Sequence, residues 1–290
     1  MYSPSSWNFL GLDGFETSFE EARFIIIPVP YDSTVSYRPG SRNGPHCIID
    51  ASRNVELFDI ELEDEPYKKG VFTLNELEPV RGNVLETLDE IDRITKGVIQ
   101  RGKIPVMIGG EHTITVGAVK SLPRDLVVVD LDAHSDLRDS YQGDAFCHAS
   151  TMRRILDQGK TVIEIGVRSL SLEEFQFIKE KNLPVFYREE IRRRTLRDVL
   201  TDIRCLVEGK KVYLSIDIDV LDPSEAPGVS TPEPDGLSFR DVQEITREVC
   251  YSSNVIGLDV VEVAPIPGSV ITEFLAAKLL YKTLGYIRDK

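Results

Sequence analysis

Two segments of the chain share one pattern: Val127-Val-Val-Asp-Leu-Asp-Ala-His-Ser-Asp136 and Val212-Tyr-Leu-Ser-Ile-Asp-Ile-Asp219. In each, an apolar run ends in acidic or histidine side chains. Short apolar runs rich in β-branched residues are typical of buried strands in a parallel sheet. Ligands of open α/β sheets bind beside the carboxyl ends of such strands. The two segments therefore predict two strand ends that bring metal-ligating side chains to one crevice.

The rest of the chain predicts an α/β fold with a mainly parallel sheet. Helical spacing of apolar residues runs from Val84 to Ile99, a helix opens at Ser238 with Asp241 three residues on, and a last helix covers 272–284. Strands that alternate with helices favour a parallel sheet covered on both faces. No linker or repeat divides the sequence, so we expect one domain over residues 1–290. Strands are predicted at Phe24–Val29, Ile104–Ile108, Leu126–Leu131, Val162–Val167, Val185–Tyr187, Val212–Ile218 and Val255–Val263.

Composition narrows the range of partners. The net charge of −14 argues against nucleic acid and anionic membranes and suits a cationic substrate. Residues 1–4 lack the features of a signal peptide, and the four cysteines form no C-x-x-C motif. We therefore expect a cytoplasmic protein with reduced thiols.

The four histidines are His46, His112, His134 and His148, and three of them lie near acids in predicted strand-end loops. Full extension would separate Asp132 from Asp136 by ~13 Å, so the chain must curl there to form one site. Two neutral imidazoles with four carboxylates carry a charge of −4, which two divalent ions would neutralise. Oxygen and nitrogen ligands without thiolate favour Mn²⁺ over structural Zn²⁺. The candidate ligands are His112, Asp132, His134, Asp136, Asp217 and Asp219.

Singly these motifs are weak, but together they resemble the ureohydrolase family of arginases and agmatinases. The resemblance covers nearly the whole chain. It runs through Gly109-Gly-Glu-His112, Asp132-Ala-His-Ser-Asp136, Ser215-Ile-Asp-Ile-Asp-Val-Leu-Asp-Pro223, Ala226-Pro-Gly228, Thr231-Pro-Glu-Pro234 and Gly257-Leu-Asp-Val-Val-Glu-Val-Ala-Pro265. The loop from Tyr37 to Pro45 also resembles the family's N-terminal loop.

The resemblance implies an arginase-like fold, a three-layer αβα sandwich, assembled as a homo-oligomer (trimer or hexamer). It implies two Mn²⁺ per subunit, bridged by Asp132 and Asp217. His112 and Asp136 would complete one coordination sphere, and His134 and Asp219 the other. Two residues depart from the family pattern: Glu111 stands where Asp is usual, and Ala149 stands where Gly often follows the mobile histidine.

The same resemblance suggests three catalytic roles in the hydrolysis of a guanidinium group. Asp136 is expected to hydrogen-bond the attacking water, and His148 to carry a proton to the leaving amine, for which an unperturbed pKa near ~6.5 is suited. Glu262, near the end of the predicted strand Val255–Val263, is expected to accept N–H bonds from the planar guanidinium.

The segment from Leu137 to Cys147 points to the substrate's tail. It lacks the Asn of the corresponding arginase loop and looks like that of agmatinases, while Asp139 and Asp144 favour an amine by charge. We predict agmatine as the substrate, with urea and putrescine as products in polyamine biosynthesis. Aminopropylagmatine is the nearest alternative, followed by guanidinobutyrate, arginine and formiminoglutamate.

Two other protein classes stay open. One is a non-catalytic, metal-bound regulatory protein on the same scaffold, which would have lost a ligand or the proton shuttle. The other is a single-zinc enzyme like the histone deacetylases, which does not call for this full ligand set. Two long loops, Pro30–Pro45 and Leu221–Gly236, are either functional or rigid surface crossovers.

Overall fold

A single eight-stranded sheet organises the computed structural model, which describes residues 5, 7–12 and 17–288. Residues 1–4, on which the signal-peptide argument rests, lie outside this set. The strands run parallel in the order β2-β1-β3-β8-β7-β4-β5-β6. Their bounds are β1 Phe24–Val29, β2 Val71–Thr73, β3 Ile104–Gly109, β4 Val127–Leu131, β5 Thr161–Val167, β6 Val185–Tyr187, β7 Lys211–Asp217 and β8 Asn254–Val261.

Helices cover both faces of the sheet. Side chains of α1, α7, α8 and α9 form the core on one face, and those of α2, α3, α4 and α5 form the core on the other. The predicted three-layer αβα architecture is confirmed. The helices are α1 Gly44–Ser52, α2 Val84–Ile99, α3 Ile114–Val119, α4 Thr151–Asp157, α5 Leu172–Lys181, α6 Arg188–Arg193, α7 Leu196–Val207, α8 Phe239–Ser252 and α9 Ile271–Tyr286.

Local sequence explains where several helices begin. Asn83 accepts a hydrogen bond from the backbone N–H of Glu86 at the start of α2. Ser238 and Asp241 form the predicted reciprocal capping box at the start of α8. Such caps satisfy backbone donors that lack a partner in the first turn. Among the described residues, no helix is both long and apolar enough to cross a membrane.

Seven strands match their predictions to within two residues at each end. The sequence reading missed β2, a three-residue strand that pairs with β1 at the edge of the sheet. The predicted strand through Ile218 is wrong at its end, because β7 stops at Asp217 and Ile218–Val220 form a turn of 3₁₀ helix.

The candidate site lies at the middle of the sheet's carboxyl edge. The four strands β3, β8, β7 and β4 are consecutive neighbours there, and each is followed by acidic or histidine residues. Parallel strands place all their carboxyl ends at one edge. Residues remote in sequence are thereby brought together.

Candidate metal centre

Gly110 lets the chain pass close to a neighbouring loop after β3. A Cβ atom at this position would lie 1.9 Å from the carbonyl oxygen of Tyr31, so only glycine fits. The next residue, Glu111, donates its backbone N–H to that same oxygen at 2.7 Å. This close approach fixes the position of His112, which is buried.

The chain curls after β4, as the spacing of its acids requires. Asp136 has a φ of 50°, in the left-handed region that few non-glycine residues adopt. The backbone N–H of His134 donates to Asp132 Oδ1 at 2.6 Å, which turns the loop back on the strand end. Asp132 and Asp136 thus approach the same imidazole.

His112 is the centre of the first ligand group. Its Nδ1 lies 3.1 Å from Asp132 Oδ2, 3.1 Å from Asp136 Oδ2 and 3.7 Å from Asp217 Oδ2. The ligand atoms of His112, Asp132 and Asp136 all lie within 4.8 Å of one another. Asp217 belongs to neither compact group but faces the same nitrogen.

His134 is the centre of the second group. Its Nδ1 lies 3.1 Å from Asp219 Oδ2 and 3.5 Å from Asp132 Oδ1. Asp219 lies beyond the end of β7 and therefore shares no strand face with Asp217. It sits in the 3₁₀ turn and donates its N–H to Asp217 Oδ1 at 2.8 Å. The 3₁₀ turn after β7, rather than the alternation of side chains along a strand, brings both acids to the site.

The donor set fits divalent cations. His112 Nδ1 is buried and makes no hydrogen bond with any residue that the structure describes, although three carboxylates surround it. Burial and the charge of Asp132 raise the pKa of Asp136 to about 7, and burial raises that of Asp217 well above its ordinary value. Buried carboxylates in such excess need compensating positive charge. Asp132 belongs to both ligand groups, so two adjacent cations could share it.

The second ring nitrogen of His112, Nε2, is held by a network of hydrogen bonds. Nε2 lies 2.9 Å from Ser215 Oγ, and that hydroxyl donates to Asp259 Oδ1 at 2.7 Å. Tyr213 and Thr115 also donate to Asp259. Outer hydrogen bonds of this kind orient a ligating imidazole and fix its tautomer.

His148 lies beside the metal centre on the wall of a cavity. Burial lowers its pKa to about 4, so the imidazole is neutral at pH 7. Nε2 lies 3.1 Å from Ser36 Oγ, and the ring packs edge-to-face on Tyr141. The sequence suggested an unperturbed pKa, and the buried environment corrects this.

Glu262 follows β8 with a φ of 66° and is buried. One carboxylate oxygen accepts the backbone N–H of His112 at 2.7 Å. Burial and the nearby charge of Glu111 raise the pKa of Glu262 to about 8. Glu262 therefore stands directly behind a metal-ligand position and is not among the residues that line the cavity.

The cavity has a volume of about 230 Å³ and opens beside both ligand groups. Asp139 and Asp144, assigned to the substrate's tail from sequence, do not line it. Asp139 points outward and pairs with Arg154 at 2.8 Å, so that part of the prediction is wrong. The acids and bases that do line it are His134, Asp136, Arg138, His148 and Glu174.

Known proteins are similar to this chain in both sequence and fold. The Arginase family profile matches residues 22–285. The chain belongs to the arginase family. It is 37% identical to an N(1)-aminopropylagmatine ureohydrolase from Synechocystis sp., over 93% of this chain and 90% of that one. It is 36% identical to an agmatinase from Bacillus anthracis, over 86% of each. The crystal structure of an agmatine ureohydrolase from Thermoplasma volcanium superposes with a TM-score of 0.87 at 35% identity, covering 93% and 92% of the two chains.

The predicted family, arginase-like fold and enzyme class are confirmed by these matches. The sequence reading overlooked Glu174 of the cavity wall. The sequence contains a pattern that could have indicated Glu174, because Ser171-Leu-Glu-Glu174 is a capping-box pattern directly after a strand end. Arg138, which belongs to the segment Leu137–Cys147 that the sequence assigned to the substrate's tail, also lines the cavity.

Proposed function

We propose that this arginase-family chain is a binuclear manganese ureohydrolase of a guanidino amine, with agmatine as substrate and urea and putrescine as products. One observation carries the proposal. The two oxygens of Asp132 face different histidines, Oδ2 toward His112 and Oδ1 toward His134. A carboxylate placed in this way suits a bridge between two cations.

The residues that would hold the metal are those of the two groups, together with Asp217. One cation would lie among His112, Asp132 and Asp136, and the other among Asp132, His134 and Asp219. Bound divalent cations would lower the pKa of water and stabilise negative charge that develops at the guanidinium carbon. The absence of thiolate among the donors favours Mn²⁺.

The remaining chemistry falls to protein side chains. Asp136 accepts a hydrogen bond from the attacking water. Glu262 does not line the cavity, but it lies directly behind His112, and we assign it the expected role of accepting N–H bonds from a guanidinium that reaches the metal centre. His148 starts neutral because its pKa is lowered. It takes up the proton that water releases and returns it to the nitrogen of the departing amine, so that this nitrogen does not have to leave as an anion.

The tail of the substrate carries no carboxylate in this proposal. Glu174 adds a buried negative charge to the cavity wall, although its oxygens also accept hydrogen bonds from Ser135, Leu137 and Ser171. Arg138 lies within 3.8 Å of Glu174 and offsets that charge. The matched relatives support an amine tail, since they are named for agmatine or its aminopropyl derivative.

N(1)-aminopropylagmatine is the second candidate substrate. The Synechocystis relative that bears this name covers 93% of the chain. Both candidates present the same guanidinium to the metal centre, and the aminopropyl derivative has a longer tail with one more amine. The choice between them therefore concerns the outer part of the cavity and leaves the hydrolytic chemistry unchanged.

Urea release from a substrate panel tests the proposal. Purified protein loaded with Mn²⁺ is assayed with agmatine, N(1)-aminopropylagmatine, guanidinobutyrate and arginine. We expect kcat/KM for one of the two amines to exceed that for arginine by ~100-fold, because Arg138 already faces Glu174 and a substrate carboxylate would have to compete with Glu174 for it. Comparable turnover of arginine would contradict the amine tail, and the better amine decides between the two candidates.

A further inference from the structure

His148 is held by two hydroxyl side chains of the long loop Pro30–Pro45. Its backbone N–H donates to Thr34 Oγ1 at 3.2 Å, and its ring Nε2 lies 3.1 Å from Ser36 Oγ. The other ring nitrogen, Nδ1, is buried and makes no hydrogen bond within the described part of the chain. Ser36 is thus the polar partner of the imidazole, and Thr34 is the partner of its backbone.

Thr34 is itself anchored to the strand end that carries the metal centre. Its backbone N–H donates to Glu111 Oε2 at 2.7 Å, and its hydroxyl donates to Glu111 Oε1 at 2.5 Å. Thr113 donates to Oε1 at 2.7 Å as well. Glu111 is fully buried, so these bonds are shielded from competing water, and charge-assisted bonds to a carboxylate are strong.

The base of the loop is also fixed. Asp32 accepts the backbone N–H groups of Gly40 and Arg42 and pairs with the Arg42 guanidinium. Glu111 donates its own N–H to Tyr31. The loop is therefore closed on itself at Asp32 and tied to the end of β3 at Tyr31, and Thr34 and Ser36 can transmit that order to His148.

We propose that Thr34 and Ser36, anchored by Glu111, are positioning residues that set the orientation of His148. We call this set the hydroxyl clamp. Without Ser36, the imidazole would lose its hydrogen-bond partner and would keep the edge-to-face contact with Tyr141. General acid–base catalysis needs the imidazole within hydrogen-bond reach of the reacting groups. Loss of this orientation would therefore lower kcat while leaving substrate binding nearly unchanged.

A matched pair at position 36 tests the clamp by kinetics, and this arm rests on the proposed function. Ser36→Val removes the hydroxyl, whereas Ser36→Thr has nearly the same size and retains it. We expect Ser36→Val to lower kcat by about tenfold with KM changed by less than about twofold. Ser36→Thr should recover most of the loss. Equal kcat in the two variants would overturn the proposal.

A second pair at position 34 separates the backbone contact from the ring contact. Thr34→Val removes the hydroxyl that links Glu111 to the N–H of His148, and Thr34→Ser retains it. Ser33→Val is the control, because Ser33 is exposed in the same loop. Metal content and the melting temperature are recorded for each variant. We expect Thr34→Val alone to lower kcat while its metal content stays that of the unmutated protein.

Histidine NMR tests the clamp without any substrate. With only four histidines in the chain, the ring signals of His148 can be assigned by their loss in His148→Gln. Protein labelled at histidine and loaded with diamagnetic Mg²⁺ should show shifted His148 ring signals in Ser36→Val and restored ones in Ser36→Thr. Unshifted His148 signals in Ser36→Val would overturn the clamp, whatever the enzyme hydrolyses. Failure of the substrate panel with shifted signals would instead contradict only the proposed function.

Discussion

Asp132 directs one carboxylate oxygen toward each histidine of the candidate metal centre, at 3.1 Å from His112 and 3.5 Å from His134. Asp132→Asn keeps the shape of the side chain but removes its charge from both cation positions. We expect Mn²⁺ affinity to fall by more than about tenfold and urea release to be lost, because an amide is a poorer metal ligand than a carboxylate. Asp50→Asn, the same change at an exposed position, is the control. Full Mn²⁺ affinity in Asp132→Asn would contradict the bridging role.

His148 makes no contact within either ligand group, so its removal should separate metal binding from proton transfer. We expect His148→Ala to bind Mn²⁺ normally and to lose about 100-fold or more in kcat, the usual contribution of a general acid–base group. His46→Ala is the matched control, since His46 is exposed and stacks on Trp7. Unchanged activity of His148→Ala over pH 7–9 would contradict the shuttle.

At the scale of elements, the loop Leu221–Gly236 is held by one side chain from the end of β5. The guanidinium of Arg168 donates to backbone carbonyls of residues 219–221 and 233–234. A lysine could not span these acceptors, because its donors radiate from one point. Thr231 of the same loop donates to Asp219 at 3.3 Å. The loop is therefore both a fixed crossover and a wall of the site.

A buried ion pair joins α9 to the turn at residues 59–64. Lys282 donates to both oxygens of Asp59 and approaches Glu61 at 2.8 Å, and Asp59 and Lys282 are largely buried. Burial alone would raise the pKa of Asp59, but the hydrogen bond and charge of Lys282 outweigh it and lower the pKa. A carboxyl whose folded pKa is lowered stabilises the fold above its unfolded pKa, about 3.9. That stabilisation is lost as the pH falls through the folded pKa.

Asp59→Asn should therefore lower the free energy of unfolding by about 2–3 kcal/mol at pH 7, since Lys282 keeps Glu61 as a partner but loses two charged hydrogen bonds. The deficit relative to the unmutated protein should shrink below about pH 4. Urea-induced unfolding at pH 7 and at pH 3 measures the deficit in the free energy of unfolding, with Asp50→Asn as the exposed control. A deficit of the same size at both pH values would contradict this role of the ion pair.

For the whole molecule, the sequence predicted the layered parallel sheet because its central strands are nearly continuous apolar runs. It also indicated which acids and histidines meet, because carboxyl ends of parallel strands share one edge. It could not show that Asp139 turns outward. That direction depends on Arg153 and Arg154 of α4, which lie 3.6 and 2.8 Å from its carboxylate.

Loop side chains were the least predictable part of the site. Ser36 and Thr34 reach His148 only because Glu111 fixes residue 34 from a separate strand end. Glu174 reaches the cavity through the cap of α5. In each case the deciding contact joins residues that are distant in sequence. The local pattern of apolar and polar residues cannot predict such a contact.

Two adjacent cation positions that share Asp132 are the central feature of this account. The most direct measurement is a titration of metal-free protein with Mn²⁺, in which bound metal per chain and urea release from agmatine and N(1)-aminopropylagmatine are followed together. The account predicts that activity reaches its maximum as bound Mn²⁺ approaches two ions per chain. Maximal activity at one bound ion per chain, with no second ion taken up, would contradict it.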